Sequence, residues 1–373
     1  MTAPRFFLAL FGASIFAACA GPVAGESVSG SSDRPIGSED GAVVALDTEA
    51  GEKPVLFLAS RLSEDEAALA MDLAPNLKVV YPESPERALE LAPLAHGCEV
   101  RFATAEFLAK APKLRWVQAT SAGVDRYMSN EALWGNQEIV LTNMQGMHGP
   151  TIADHVFGML LVLTRDLRIH AQDARRGEWN RGGSEVFQPV ALEGRTLLVV
   201  GLGGIGREVA KRGKGFGMEV WATKRRATEP PSYVDRQETS DKLMEMLPDA
   251  DVVVLCVPLT DETRGMIGAE QFAAMQPGSY LINIARGPVV DTDALMVALQ
   301  NGTLAGAGLD VTDPEPLPAE HPLWQIENLI ITPHVAARSQ LTSDDWTRLY
   351  RENLRRFGKG EPLLNVVDKT AGY

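Results

Sequence analysis

The sequence predicts an α/β protein built on two doubly wound parallel sheets, the second inserted into the first. Three observations carry that expectation. Short apolar runs alternate with helical patterns along most of the 373 residues, the order that builds parallel sheets with helices on their faces. One run, Leu197-Leu198-Val199-Val200, leads directly into Gly201-Leu202-Gly203-Gly204-Ile205-Gly206. A long charged amphipathic pattern, Arg338 to Phe357, follows the last apolar run and would return the chain to its first sheet.

At the amino terminus, Arg5 precedes an apolar run from Phe6 to Ala18, and Cys19 follows immediately. The run is short for a membrane-spanning helix but suits a signal-peptide core. Phe16-Ala17-Ala18-Cys19 resembles a bacterial lipobox, with Phe16 where leucine is usual. Residues 1–19 are therefore read as a signal segment with a lipid anchor at Cys19, and the chain as an exported or cell-envelope protein. A cytoplasmic protein with an extended N-terminus is the alternative. Residues 20–53 are rich in Gly, Ser, Asp and Glu and read as a flexible linker.

A first domain is expected over residues 54–148, completed by 336–373. Its predicted strands begin at Val55, Leu77, Leu114 and Ile139, with a helix from Glu64 to Leu73. A second domain is expected over 149–335. Pro150 sits where a first helical turn tolerates its missing N–H, and the apolar stretch Ile152 to Leu167 predicts one buried helix joining the domains. Six strands should follow, starting near Thr196, Met218, Val252, Tyr280, Gly306 and Leu329.

The glycines after Val200 have physical jobs in that context. Gly201 permits a tight strand-to-helix turn, Gly203 lets backbone approach a pyrophosphate, and Gly206 lets the new helix pack closely on the strand. The helix N-terminus, at Gly204 and Ile205, offers unpaired N–H groups to phosphate. This pattern makes the second domain Rossmann-like and a holder of a dinucleotide. The first is flavodoxin-like or Rossmann-like by its alternation of strands and helices.

A net charge of −14 argues against binding nucleic acid or acidic membranes through charge. Three scattered cysteines, Cys19, Cys98 and Cys256, give neither a disulfide framework nor a zinc site. No metal is expected.

Ligands of such sheets sit beyond the carboxyl ends of the strands. Arg286, Glu315 and His334 fall in that layer of the second domain. Each alone has a plain structural explanation, but above one nucleotide site they suit hydride chemistry. Reducing a carbonyl needs a proton donor as alkoxide develops, which imidazolium supplies. A neighbouring carboxylate favours the charged ring and orients it. Guanidinium offers a planar two-donor fork to a carboxylate.

At these residues the sequence closely resembles the D-isomer-specific 2-hydroxyacid dehydrogenase family, over about residues 54–365. The shared motifs are Ser121-Ala122-Gly123-Val124-Asp125, the glycine loop, Cys256-Val257-Pro258-Leu259-Thr260, Asn283-Ile284-Ala285-Arg286-Gly287, Leu309-Asp310-Val311 with Glu315-Pro316, and Thr332-Pro333-His334. Ala337 stands where many members carry glycine. The resemblance implies that His334 is the acid/base, Glu315 its partner and Arg286 the substrate anchor. It implies that backbone around Ala122, Gly123 and Val124 binds the substrate carboxylate, and that Asp310 meets the nicotinamide carboxamide. Val257, Pro258 and Thr263 would lie along the adenosine, with Ala285 beside the cofactor. A homodimer is a further family expectation.

A site for NAD usually has an acidic residue at the end of the second strand. Here that position reads Thr223-Lys224-Arg225-Arg226, so NADP(H) is expected in preference to NAD(H). The expected reaction is hydride transfer between NADP(H) and a small 2-oxo acid or D-2-hydroxy acid such as glyoxylate or hydroxypyruvate. The alternatives are a nucleotide-binding sensor with little turnover and an NAD-dependent enzyme like phosphoglycerate dehydrogenase. Side-chain selectivity is expected from loops near Ser60-Arg61-Leu62 and Met147-His148, with His148 read mainly as a hinge residue.

Overall fold

The computed structural model describes residues 42–44, 54–181, 189–226 and 228–372. The lipobox-like segment and most of the expected linker lie outside the described residues.

Seven strands form the first sheet: β1 (Ala42–Val44), β2 (Val55–Leu58), β3 (Leu77–Val80), β4 (Gly97–Glu99), β5 (Trp116–Gln118), β6 (Val140–Thr142) and, late in the chain, β14 (Leu363–Val366). Their spatial order is β1-β14-β6-β5-β4-β2-β3. The five strands from β6 to β3 are parallel, while β14 runs antiparallel to both β6 and β1. The second sheet comprises β7 (Thr196–Val200), β8 (Glu219–Lys224), β9 (Arg236–Thr239), β10 (Val252–Leu255), β11 (Ser279–Asn283), β12 (Leu304–Leu309) and β13 (Leu329–Ile331). Its order, β13-β12-β11-β10-β7-β8-β9, is that of a doubly wound parallel sheet. All of it lies between β6 and β14 in sequence, so the second sheet is inserted into the first.

Burial explains the strand sequences. Leu198 and Val200 pack into one hydrophobic cluster and Leu197 and Val199 into another, on opposite faces of the second sheet. A strand covered on both faces has no solvent side, so it reads as an unbroken apolar run. The first sheet behaves alike, with Phe57 and Leu58 entering different clusters.

Local signals set the helix ends. The Ser63 hydroxyl accepts from the Glu66 N–H at the start of Glu64–Leu73, and Ser339 caps Gln340–Lys359 in the same way, each satisfying an otherwise orphaned donor. The return helix stops at Gly360, whose φ is +68°.

Several expectations need correction. Residues 42–44, expected within a flexible linker, instead pair with β14, where a short apolar triplet extends an open sheet edge. The second sheet has seven strands, the extra one being the polar edge strand Arg236–Thr239. The edge position explains why its sequence lacks the apolar signature. Strands Gly97–Glu99 and Leu363–Val366 were also not anticipated, because Gly97 and Glu99 in the one and Asn365 in the other break the apolar run that marks the other short strands. The joining helix is two helices, Gly149–Thr164 and Leu167–Arg176. They are separated at Asp166, whose φ of +50° takes the backbone out of helical geometry.

Candidate active site

The glycine loop starts where β7 ends. Gly201 has a φ of +101°, and a Cβ there would stand 2.9 Å from the Cys256 carbonyl oxygen and from Val257. At Gly206 a Cβ would meet the Gly201 carbonyl oxygen at 2.1 Å, so only glycine allows the helix Gly204–Gly215 this close. Gly203 differs, because a Cβ there would meet nothing within 4 Å. No side chain caps that helix, so its first N–H groups face an open space beside Gly203. A pyrophosphate fits that arrangement: donors with no side-chain cap, a favourable helix dipole and room for close approach.

The loop leans toward β8, since the N–H groups of Gly201 and Leu202 both donate to the Thr223 carbonyl at 3.2 and 2.9 Å. Lys224 ends β8, and Arg225 and Arg226 follow it as exposed residues. The three cations therefore stand beside the glycine loop. Val257 and Pro258 begin the loop after β10, which is closed by the Thr263 hydroxyl donating to the Pro258 carbonyl at 2.6 Å. Ala285 is buried, and its N–H donates to the Asn283 side chain at 3.0 Å.

A chain of hydrogen bonds crosses the ends of β11, β12 and β13. The Asn283 side chain donates to the Arg286 carbonyl at 3.0 Å, the Asp310 N–H to the Asn283 carbonyl at 3.0 Å, and the His334 N–H to the Asp310 carbonyl at 2.8 Å. This lateral track fixes the backbone of Arg286 and His334 at the carboxyl ends of the strands. His334 has a φ of +52°, an uncommon conformation for a residue bearing a side chain. Its N–H bond to Asp310 helps hold it there.

The His334 Nδ1 lies 2.7 Å from a Glu315 carboxylate oxygen, and both side chains are about half exposed. Because an ionised carboxylate only accepts, Nδ1 carries the hydrogen, and Nε2 is the nitrogen left to exchange a proton.

Asp310 is 4% exposed. Its carboxylate accepts from the Thr332 hydroxyl at 2.6 Å and from the N–H groups of Val335 and Ala336 at 2.9 and 3.0 Å. It thus grips the segment on both sides of His334. The Thr332 hydroxyl spends its one hydrogen on Asp310, so at 2.9 Å it accepts from the Nε2–H of His155. Sequence reasoning missed this histidine, although a histidine in a largely apolar helix, where only Asp154 is also ionisable, was a signal for it.

Arg286 reaches the first domain's half of the site. Its guanidinium donates to its neighbour Ala285's carbonyl at 2.7 Å and to the Asp125 carboxylate at 3.2 Å. A Cβ on Gly123 would lie 1.7 Å from one guanidinium nitrogen, so the arginine packs directly on that backbone. The carbonyls beside it are tied, Ala122 by the Asn143 side chain at 2.9 Å and Gly123 by the Ser121 hydroxyl at 2.8 Å. Val124 is buried. Asp125, quoted above only as part of a motif, is the missed member of this group. His148 is partly buried at the start of the joining helix, with Nδ1 unpartnered and its pKa lowered by burial.

Comparison with known proteins gives the family. Residues 157–336 match the model described as the D-isomer specific 2-hydroxyacid dehydrogenase NAD binding domain. A glyoxylate reductase of Korarchaeum cryptofilum is 38% identical over 276 residues, covering 71% of this chain and 79% of the relative. A D-isomer specific 2-hydroxyacid dehydrogenase of Xanthobacter autotrophicus, solved with NADPH and MES, is 30% identical with a TM-score of 0.70, covering 86% of this chain and 100% of that one. An NADPH-dependent glyoxylate/hydroxypyruvate reductase of Sinorhizobium meliloti, solved with NADP and sulfate, is 26% identical with a TM-score of 0.71 over the same shares. The chain belongs to the D-isomer specific 2-hydroxyacid dehydrogenase family and is an oxidoreductase that acts on 2-hydroxy acids with a nicotinamide dinucleotide.

Proposed function

We propose that this enzyme reduces small 2-oxo acids with NADPH to the corresponding 2-hydroxy acids, glyoxylate to glycolate or hydroxypyruvate to the D-hydroxy acid. The observation that carries the proposal is the His334–Glu315 pair, held on the same hydrogen-bonded strand-end track as Arg286. Bound NADPH supplies the hydride. Arg286 holds the substrate carboxylate against the backbone of Ala122, Gly123 and Val124 and polarises the adjacent ketone. His334 carries a proton on Nε2 and passes it to the carbonyl oxygen, while Glu315 stabilises the charged ring and fixes its orientation. A binding protein without turnover has no need of that pair.

In this reading residues 149–335 form the nucleotide domain, and 54–148 with 336–373 form the substrate domain. The glycine loop with Gly204 and Ile205 binds the pyrophosphate, Lys224, Arg225 and Arg226 bind a 2′-phosphate, and Val257, Pro258 and Thr263 line the adenosine. Ala285 borders the cofactor, and the remaining acceptor position of Asp310 meets the carboxamide. The NADPH-bound relative from Xanthobacter autotrophicus and the NADPH-dependent one from Sinorhizobium meliloti support the choice of cofactor. A homodimer belongs to the same reading, and the mass of the protein in solution tests it. Anchoring through Cys19 is supported by the lipobox-like sequence, and Cys19→Ala should abolish incorporation of labelled fatty acid.

The test follows NADPH absorbance with glyoxylate and hydroxypyruvate, repeated with NADH. Keto-acid-dependent oxidation favouring NADPH is expected. Tight NADPH binding without turnover across a panel of 2-oxo acids would overturn the proposal.

A further inference from the structure

The first sheet buries a carboxylate that the mechanism does not use. Glu99, the last residue of β4, is 0% exposed. One of its oxygens accepts from the N–H groups of Ser60 and Arg61, both at 2.9 Å, and from the Tyr350 hydroxyl at 2.7 Å. The other accepts from the Ser60 hydroxyl. A charged side chain so deeply buried is costly unless donors surround it, and here four neutral donors do. Tyr350 is itself buried, and the Glu99 carboxylate adds to burial in holding its hydroxyl protonated.

The consequence is positional. Ser60 and Arg61 follow β2, but their bonds to Glu99 draw this loop over the end of β4. Adjacent strands lie about 4.8 Å apart, and β5 is the next one along. The segment leaving β5 is the one that carries Ala122 and Gly123 to Arg286. The clamped loop therefore lies over β4, one strand from the segment that packs on Arg286 and at the same carboxyl end of the sheet.

We propose that Glu99, with Tyr350, is a positioning residue that sets the Ser60–Arg61 loop as the wall facing the substituent on the keto carbon. The inference rests on the 2-oxo acid reading above and makes a distinction within it. Glyoxylate has no carbon beyond C2 and should ignore this wall, whereas hydroxypyruvate has a hydroxymethyl group that meets it.

The test measures KM and kcat for both acids in the full chain and in four variants. Glu99→Ala should raise KM for hydroxypyruvate about 10-fold, as expected for losing hydrogen bonds to a charged group, while KM for glyoxylate and NADPH affinity stay near wild type. Tyr350→Phe and Ser60→Ala, which leave the core filled, should shift the same ratio in the same direction by about 3-fold each. Glu99→Gln keeps the oxygen that serves three donors and should stay within about 3-fold of wild type. Amide hydrogen exchange at Ser60 and Arg61 in the free protein should accelerate in Glu99→Ala and return toward wild type in Glu99→Gln. An unchanged hydroxypyruvate-to-glyoxylate ratio in Glu99→Ala, Tyr350→Phe and Ser60→Ala overturns the inference, as does equal loss of both substrates without rescue by Gln. Absence of turnover in the wild type would instead overturn the functional reading beneath it.

Discussion

The guanidinium of Arg286 rests on Gly123, in space that any larger residue would fill: a Cβ at Gly123 would sit 1.7 Å from one guanidinium nitrogen. The contact joins the end of a strand in the inserted sheet to a loop of the first sheet. It makes the anion site a product of both. Gly123→Ala should therefore push Arg286 away from the substrate carboxylate. We expect kcat/KM for 2-oxo acids to fall about 10²-fold, the scale of an ångström-level misplacement, with NADPH affinity near wild type. Unaltered kcat/KM in that variant would remove the contact from the binding site.

His334 and Glu315 should separate in their effects. His334→Ala removes the proton donor and should lower turnover by about 10²- to 10⁴-fold. Glu315→Gln retains a hydrogen-bond acceptor for Nδ1, so the ring stays oriented and a smaller loss is expected. Kinetics across pH, with NADPH binding measured alongside, check both. Near-normal turnover in His334→Ala would take that residue out of the acid/base role.

The two glycines Gly203 and Gly206 provide a contrast between ligand space and packing space. A methyl at Gly203 meets no protein atom within 4 Å, whereas one at Gly206 meets a carbonyl oxygen at 2.1 Å. Gly203→Ala should leave the melting temperature unchanged and weaken NADPH binding, because the added carbon occupies the approach of the pyrophosphate. Gly206→Ala should lower the melting temperature. Full NADPH affinity in Gly203→Ala would count against the proposed phosphate position.

Arg225→Asp should weaken NADPH selectively by placing a carboxylate beside the 2′-phosphate and near the ribose hydroxyl position that NADH would use. An NADPH:NADH preference equal to wild type would show that Lys224-Arg225-Arg226 does not read the phosphate.

The structure also predicts a loss of stability in mild acid. His96 accepts the Leu56 N–H on Nδ1 at 3.2 Å, which requires an unprotonated nitrogen. Its pKa is lowered by burial and by the charges of Lys113 and Arg115. Below the ordinary histidine pKa of about 6.5 the unfolded chain takes up a proton that the folded chain resists, so stability falls as pH falls. Melting temperatures between about pH 8 and pH 5.5 should drop more in wild type than in His96→Gln. Parallel curves would exclude His96 as a source of the dependence.

Much of this protein was legible because its chemistry sits at the ends of elements with strong local signals. Buried parallel strands announce themselves as apolar runs, and the glycine loop follows one of them. Arg286, Glu315 and His334 could be selected because each follows a strand that periodicity and composition reveal. Strand Arg236–Thr239 was missed because an edge strand is not required to be apolar, and β4 and β14 because Glu99 and Asn365 interrupt their apolar runs.

What the sequence by itself determined, then, is which segments become strands and helices, where the phosphate loop lies and which side chains stand at the strand ends. Those properties depend on neighbours along the chain. Tertiary structure alone decided that Arg286 lies on Gly123, that Asp310 binds the backbone around His334, and that Glu99 holds Ser60, Arg61 and Tyr350. Asp310 and His334 are 24 residues apart, and Glu99 and Tyr350 are separated by 251. Such contacts are set by strand order and by the demand that every buried polar group find a partner, which no local pattern encodes.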